Sequence, residues 1–248
     1  MEKYHQRLPV LLKERHGFLP LLRANAQDVA RDKNGSASAS VANSLRFVAV
    51  AGYVLHQDIQ SFRANLAESA GIRLRLFERF EAGEPISKSY VAMLAYKSLF
   101  NAVAAGEFQL ASDLAARMGG RSAIEKEYDH RFDYALGYTL RAFVLSDRPQ
   151  MQDWAEKFGE VCRDKANRNF QGYARMFEAM LGADTDEANA ALMVLVNGHE
   201  KESKGKGVFR DSEDEGLCVW GIGMANIARR HGMAVVPVPP LIPDNLLV

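Results

Sequence analysis

The chain has 248 residues, of which 48% are apolar and 25% charged, as in ordinary globular proteins. Its 31 basic and 31 acidic residues balance, so no net field draws it to nucleic acid or anionic lipid, and we expect neither as a partner. The polar start at Met1 is unlike a secretory signal, and the longest apolar stretch, 47–55, is shorter than the ~18 residues of a membrane span. Cys162 and Cys218 lie far apart and are expected to be buried thiols. We therefore expect a cytoplasmic protein.

The N-terminal region contains several residues that interrupt helices. Pro9 and the segment 17–20, which ends in Pro20, predict breaks, followed by a helix over 21–30. Residues 32–38, rich in glycine and serine, predict a flexible loop. We accordingly predict an N-terminal segment, 1–38, and a helical array, 39–248, that together form one compact domain.

Four short polar joints separate apolar segments along the rest of the chain. Their anchor residues lie 49, 41 and 36 positions apart, which is the range of stacked helical hairpins: Asp58, Glu107, Arg148 and Asp184. Between the joints, apolar residues recur at i, i+3, i+4 and i+7, and each such stripe needs a neighbouring helix to cover it. The pattern predicts an all-α fold, an array of antiparallel helical hairpins similar to tetratricopeptide (TPR) repeats.

One segment, 71–83, fits two interpretations. Ile72, Leu74 and Leu76 alternate with arginines as in a half-buried strand, whereas Phe77 and Phe80 restore the helical spacing. A strand here would have no second alternating run to pair with. We therefore predict a helix.

Several residues carry helix-boundary signals. Gly182 is expected to end a helix in the left-handed conformation, and Asp184 with Glu187 to cap the next one. Ser212 with Glu215 has the same spacing and predicts the start of the last helix.

The last helix contains two glycines and is followed by an extended tail. Gly221 and Gly223 each cost a helix about 1 kcal/mol relative to alanine, so we expect this helix to pack closely at the centre of the array. Gly232 is expected to end it. The proline-rich tail 235–243 cannot be helical and is expected to lie extended against the body of the protein.

Motifs for catalysis or cofactors are incomplete. Glu127-x-x-His130 is half of a carboxylate-bridged di-iron signature, and the chain has no second Glu-x-x-His. Residues 204–207 lack the full spacing of a phosphate-binding loop. We predict no catalytic residues, no metal ligands and no cofactor. If the chain were an enzyme, Glu127, His130 and Asp133 would be the residues best spaced to converge.

A run of acidic and aromatic residues extends from 125 to 134. Rigid tyrosine rings beside carboxylates are typical of protein-recognition surfaces. We therefore predict that five residues of this acidic–aromatic patch bind a partner: Glu125, Glu127, Tyr128, Asp129 and Asp133. The alternative interpretation is an amphipathic helix start with Phe132 facing inward and the charges solvated.

Four short motifs resemble a known family. They are Phe62-Arg63-x-x-Leu66, Ala104-Ala105-Gly106-Glu107, the segment 220–232, and a tail that reads Leu-Ile-Pro-Asp-Asn-Leu-Leu over 241–247. From about Leu45 onward the chain resembles the immunity-forty-nine family of bacterial polymorphic-toxin systems, although Ile242 stands where related tails often carry an aromatic residue. The resemblance implies an all-helical protein that binds and blocks a cognate toxin, with no catalysis and no cofactor. Interfaces vary within such families, so the resemblance implies no contact residues.

The leading functional prediction is a cytoplasmic immunity protein that occludes a toxin, for example a nuclease effector with a basic cleft. A helical-repeat adaptor that binds a peptide or protein in its groove is the alternative. An enzyme whose residues converge only in three dimensions is the third hypothesis. The oligomeric state, monomer or homodimer, stays open.

Overall fold

The computed structural model describes residues 2–248, apart from the side chains at positions 2, 3 and 5, and it is all-helical. Within these residues there are eleven α-helices: α1 (Glu2–Gln27), α2 (Ser36–His56), α3 (Ile59–Glu81), α4 (Tyr96–Ala105), α5 (Phe108–Arg117), α6 (Ser122–Tyr128), α7 (Arg131–Val144), α8 (Arg148–Arg163), α9 (Gln171–Gly182), α10 (Thr185–Glu202) and α11 (Val219–Arg230). Short 3-10 turns occur at Lys88–Tyr90, Met93–Ala95, Arg168–Phe170, Glu213–Gly216 and Asp244–Leu246. No β-strand is present in the described part of the chain.

Consecutive helices pack against one another as an antiparallel array. Helix α2 lies between α1 and α3, α3 also contacts α4 and α5, and the succession continues through α7, α8, α9 and α10. Helix α11 then returns to the interior, where it packs mainly on α4 and also on α9 and α10. The predicted all-α hairpin array is confirmed, and the helix predicted over 71–83 is confirmed as far as Glu81, where α3 ends.

Three of the four hairpin joints are stabilised by an aspartate at the start of the following helix. The side chains of Asp58, Asp147 and Asp184 each accept a hydrogen bond from the backbone N–H three residues later, at 2.9, 3.3 and 2.9 Å. Each such bond satisfies one of the free N–H groups of a first helical turn. The third joint is therefore capped by Asp147 rather than by Arg148.

The end of α9 differs from the prediction by one residue. Gly182 stays within the helix, and Ala183 takes the left-handed conformation with φ of 52°. Its backbone N–H bonds to the carbonyl of Met180, which satisfies an otherwise free carbonyl of the last turn.

The predicted breaks at Pro9 and Pro20 are wrong, because α1 runs through both prolines. Both rings lie on its exposed side. The opposite face buries Leu8, Leu12 and Leu19 in a cluster with α2. This tertiary packing outweighs the local preference of proline against helix.

The predicted flexible loop over 32–38 is instead a short turn over 32–35 followed by the first residues of α2, which begins at Ser36, so the predicted boundary between 38 and 39 falls inside a helix. Asp32 is only 1% exposed. Its carboxylate accepts from the N–H and hydroxyl of Ser38 at 2.9 and 2.5 Å, and from Nη1 of Arg79 at 2.5 Å. Burial by itself would raise the pKa of Asp32, but these Ser38 and Arg79 contacts hold it below its ordinary value.

Replacing Asp32 by asparagine should lower the free energy of unfolding by about 2 kcal/mol at pH 7, because a buried charge-assisted contact is lost. A carboxylate with a lowered folded-state pKa stabilises the fold above its unfolded pKa of about 4 and loses that effect as the pH falls through the folded value. The difference in the free energy of unfolding between the parent and Asp32→Asn should therefore become smaller below about pH 4. Urea denaturation at several pH values measures it.

Glu84, the exposed second partner of Arg79, provides the control. Glu84→Gln should change stability by less than about 1 kcal/mol. A difference between parent and Asp32→Asn that stays constant from pH 7 to pH 3 would contradict the electrostatic role of Asp32.

The last helix begins later than the capping signal predicts. Residues 213–216 form a 3-10 turn, the Ser212 side chain makes no capping bond to it, and α11 begins at Val219. The backbone N–H of Cys218 instead donates to the carbonyl of Leu241 at 3.0 Å. This long-range contact with the tail keeps the chain extended just ahead of α11.

The interior position of α11 is confirmed. A Cβ built on Gly223 would lie 2.9 Å from side-chain carbons of Phe100 and Val103 on α4. A Cβ on Gly221 would lie 2.7 Å from Ile242 of the tail. Both glycines thus allow the close approach that the sequence predicts, and the tail lies against the body with Ile242 fully buried.

Helix α2 is, in the described chain, the one helix long and apolar enough to cross a membrane by length and composition. The prediction that no stretch would reach this length is wrong, because α2 extends well to either side of 47–55. In the fold, 67% of its apolar window is buried. Its apolar residues thus pack mostly against α1, α3 and the core.

Candidate functional site

The predicted acidic–aromatic patch spans α6 and the start of α7, and its residues have different environments. Glu125 is 3% exposed. Its carboxylate accepts from the N–H of Arg121 at 2.9 Å and from the hydroxyl of Tyr138 at 3.2 Å. In this position Glu125 caps α6 from inside the fold and is not presented to a partner.

Asp129 and Asp133 anchor the turn before α4. The two carboxylate oxygens of Asp129 accept from the backbone N–H groups of Met93 and Leu94 at 2.9 and 2.8 Å. Asp133 accepts from the hydroxyl of the buried Tyr96 at 2.9 Å. Burial raises the pKa of Asp129 above its ordinary value, although the hydrogen bonds from the two N–H groups lower it in part. Both side chains therefore have partners within the chain.

Of the five predicted binding residues, Glu127 and Tyr128 are exposed, Tyr128 by 38%. His130 is also exposed, whereas Asp133 is turned toward Tyr96. The structure thus does not bring Glu127, His130 and Asp133 together. More widely, residues 2–248 contain no group of three or more His, Cys, Asp or Glu side chains placed to hold a metal ion.

A separate pocket of about 460 Å³ lies between α2, α3, α4 and the segment that joins α10 to α11, the 203–218 segment. It is lined by charged, polar and aromatic side chains that include Arg46, Arg73, Lys97, Asn101, Asp214 and Trp220. Its volume falls within the ~300–1,000 Å³ of typical small-molecule sites. We refer to it as the central pocket.

One wall of the central pocket is an ion cluster. Arg46 of α2 binds Asp214 through Nη2, at 2.6 and 2.7 Å to the two carboxylate oxygens, and also contacts Glu213 and the amide oxygen of Asn101. Burial by itself would lower the pKa of Arg46, but Asp214 and Glu213 raise it above its ordinary value. These contacts fasten the 203–218 segment to α2.

A second arginine of the pocket lies in a different environment. Arg73 of α3 donates to the amide oxygen of Asn43 at 2.8 Å, and its guanidinium carbon lies 5.4 Å from the centre of the Tyr90 ring. No ion pair among the described residues includes Arg73. Burial lowers the pKa of Arg73 below its ordinary value, and the phenol of Tyr90 offsets this only in part. The pocket thus contains two guanidinium groups. That of Arg46 is paired with carboxylates, and that of Arg73 is not.

The two cysteines are buried free thiols, as predicted. Burial, with Asp164 and Glu178 nearby, raises the pKa of Cys162 to about 12. Cys218 is fully buried, with its sulfur 3.8 Å from the hydroxyl of Tyr173. Since the thiolate is the nucleophilic form, Cys162 is in an unreactive environment.

The central pocket was not predicted from the sequence, although one signal for it is present there. Arg46 is the only Lys, Arg, Asp or Glu in the 21 residues of α2. An arginine within a largely buried helix needs a partner, because an unpaired buried charge is costly. The acidic run 213–215 supplies that partner, but nothing in the local pattern links the two segments.

No protein-family model, curated protein or solved structure matches this chain. Its fold and site define it as an all-α helical array with a central pocket that is closed on one side by the 203–218 segment.

Proposed function

We propose that this protein is an immunity protein, which binds a cognate bacterial toxin and neutralises it by occlusion, without catalysis or a cofactor. The observation that carries the proposal is the spatial convergence of the four sequence motifs that resemble the immunity-forty-nine family. They lie far apart in the chain but pack at one place in the fold.

The contacts between the motifs are specific. Arg63, in the first motif, donates to the carbonyl of Asn245 in the tail at 3.4 Å. Asn226 of α11 is fully buried and donates to the carbonyl of Val103, just before the second motif, at 3.0 Å. Its amide oxygen accepts from the N–H of Val248, just after the tail motif, at 3.0 Å. One buried asparagine therefore ties the end of α4 to the C-terminal tail.

The experiment is growth rescue by co-expression. The open reading frame next to this gene is expressed in a test bacterium, and its product should arrest growth. This protein should restore growth and co-purify with that product. If the neighbouring product is not toxic, or if it is toxic and this protein neither binds it nor restores growth, the proposal is wrong.

The exposed pair Glu127 and Tyr128 is the part of the predicted patch that is available to such a partner. The double variant Glu127→Lys/Tyr128→Ala should slow association with the toxin by about threefold or more at low salt, since rim charges act chiefly on the association rate. The effect should diminish at high salt, where surface charges are screened. Surface plasmon resonance at two ionic strengths provides the measurement.

Glu160→Lys, at an exposed position on α8, is the matched control and should leave the association rate unchanged. Asp129 is unsuitable for this test, because its carboxylate holds the turn before α4 and its loss would disturb the fold. An unaltered association rate in the double variant, with growth rescue intact, would place the interface elsewhere on the protein.

The alternative function, a helical-repeat adaptor that holds a peptide or protein segment, is favoured by one observation, the concave central pocket. An adaptor should select short peptides of defined sequence from a displayed library, and these should compete with one another for the pocket. A toxin-specific immunity protein should select none.

A further inference from the structure

We propose that the central pocket is a binding site for an oxyanion group, a carboxylate or a phosphate, with Arg73 as its main ligand. This inference concerns the pocket alone and does not depend on the proposed toxin partner. It assigns a chemical class of ligand to a cavity that the sequence motifs do not explain.

The first argument is the uncompensated charge of Arg73. Its neighbours, the amide of Asn43 and the ring of Tyr90, are neutral. A half-buried guanidinium usually pairs with a carboxylate, because even partial removal from water is costly for a charge without a partner. The shift of the Arg73 pKa below its ordinary value has the same cause, namely burial. An anion entering the pocket would supply the missing partner.

The second argument is that the acids in the pocket are already engaged. Arg46 binds both carboxylate oxygens of Asp214 and also contacts Glu213. With Arg73 and Lys97 also lining the cavity, three cationic side chains face two carboxylates. The remaining charge is positive and lies on the side of α3 and α4.

The third argument is the shape and composition of the pocket. A guanidinium presents paired N–H donors that match a carboxylate or phosphate. Ser89 and Ser98 also line the cavity, and Trp220 contributes an apolar surface. This combination suits a small organic oxyanion with an apolar part.

Such an anion has two sources, a free small molecule or an acidic side chain presented by a partner. Three probes distinguish them: inorganic phosphate, glutarate, and a capped peptide that carries one glutamate among glycines. Binding is measured by isothermal titration calorimetry and by the NMR signals of the arginine Nε–H groups. We expect saturable binding of at least one probe, with the Arg73 signal shifting. Tighter binding of phosphate or glutarate identifies a free molecule, and tighter binding of the peptide identifies an acidic side chain.

Variants of Arg73 test whether this residue is the main ligand of the anion. Arg73→Gln should weaken binding at least about tenfold, and Arg73→Lys should weaken it less, because lysine keeps the charge but not the paired donors. Arg75→Gln, at an exposed position two residues further along α3, is the control and should bind like the parent. If Arg73→Gln does not fold, as judged by its circular dichroism, Arg73→Lys alone decides the assignment.

Two results would overturn the proposal: no saturable binding of any of the three probes, or equal affinity in the parent and the Arg73 variants. Neither result bears on growth rescue by the protein, so failure of the anion site and failure of the immunity function can be told apart.

Discussion

Replacing Gly198 by alanine is expected to lower the free energy of unfolding by about 3 kcal/mol or more, at the upper end of overpacking effects. A Cβ built on Gly198 would lie 1.9 Å from the carbonyl oxygen of Asn169, in the 3-10 turn before α9. That atom belongs to the backbone, so a change of side-chain rotamer cannot relieve the contact. The helix or the turn must move instead. Urea denaturation followed by circular dichroism measures the loss.

A second glycine supports the same mechanism at the same end of the α9–α10 hairpin. A Cβ on Gly172 of α9 would lie 2.2 Å from the backbone nitrogen of Leu195 on α10. Gly172→Ala should therefore destabilise the protein to a similar extent.

Gly182 is the control, since it lies at the exposed end of the same helix α9 and a Cβ there would meet nothing within 4 Å. Gly182→Ala should be neutral or stabilising by up to about 1 kcal/mol, because alanine is the better helix former. Equal stability of Gly198→Ala and Gly182→Ala would show that α10 does not approach the 3-10 turn before α9 this closely.

The elements that could be predicted from the sequence are those set by local contacts. The apolar stripe of Ala111, Leu114 and Ala115 is fully buried, and Asp184 caps α10, because both depend on residues a few positions apart. The central position of α11 was predictable for a related reason. Two glycines within one helix are unfavourable unless another backbone or side chain comes close.

The elements that could not be predicted depend on distant parts of the chain. Ser212 and Glu215 have the spacing of a capping box, yet the Cys218 N–H bonds to Leu241 of the tail and α11 starts only after it. Proline should interrupt α1, yet packing on α2 keeps it continuous. In each case a tertiary contact outweighs a local preference of about 1–3 kcal/mol.

The candidate site likewise has a part that was predicted from neighbouring residues and a part that depends on distant ones. The patch was predicted from a run of neighbouring residues, but the fold uses Glu125, Asp129 and Asp133 for contacts within the chain. Conversely, the central pocket joins Arg46 to Asp214 across 168 positions. The spacing of residues in the sequence carries no information about a pairing at that distance. The one sequence signal for the pocket was Arg46, a lone charge in an apolar helix.

Replacing Arg46 by methionine is the second change with a large expected effect. The side chains of Arg46 and Asp214 are 14% and 13% exposed, so the variant would leave Asp214 and Glu213 without their cation in a poorly hydrated site. Removal of one partner of a largely buried ion pair should lower the free energy of unfolding by about 3 kcal/mol. The 203–218 segment should also become sensitive to proteolysis, because Arg46 fastens it to α2. Urea denaturation and limited trypsin digestion measure the two effects.

The comparison that separates charge from packing is the triple variant Arg46→Met/Glu213→Gln/Asp214→Asn. It removes all three charges and should recover most of the lost stability, since the penalty comes from the uncompensated carboxylates rather than from the missing attraction. Arg175→Met breaks a more exposed pair with Glu187, with 40% and 38% of the side chains exposed, and should change stability by less than about 1 kcal/mol. If the triple variant is as unstable as Arg46→Met, the arginine acts through its packing against α4 and the 203–218 segment. The central pocket would then owe its shape to the bulk of that side chain and not to the ion cluster.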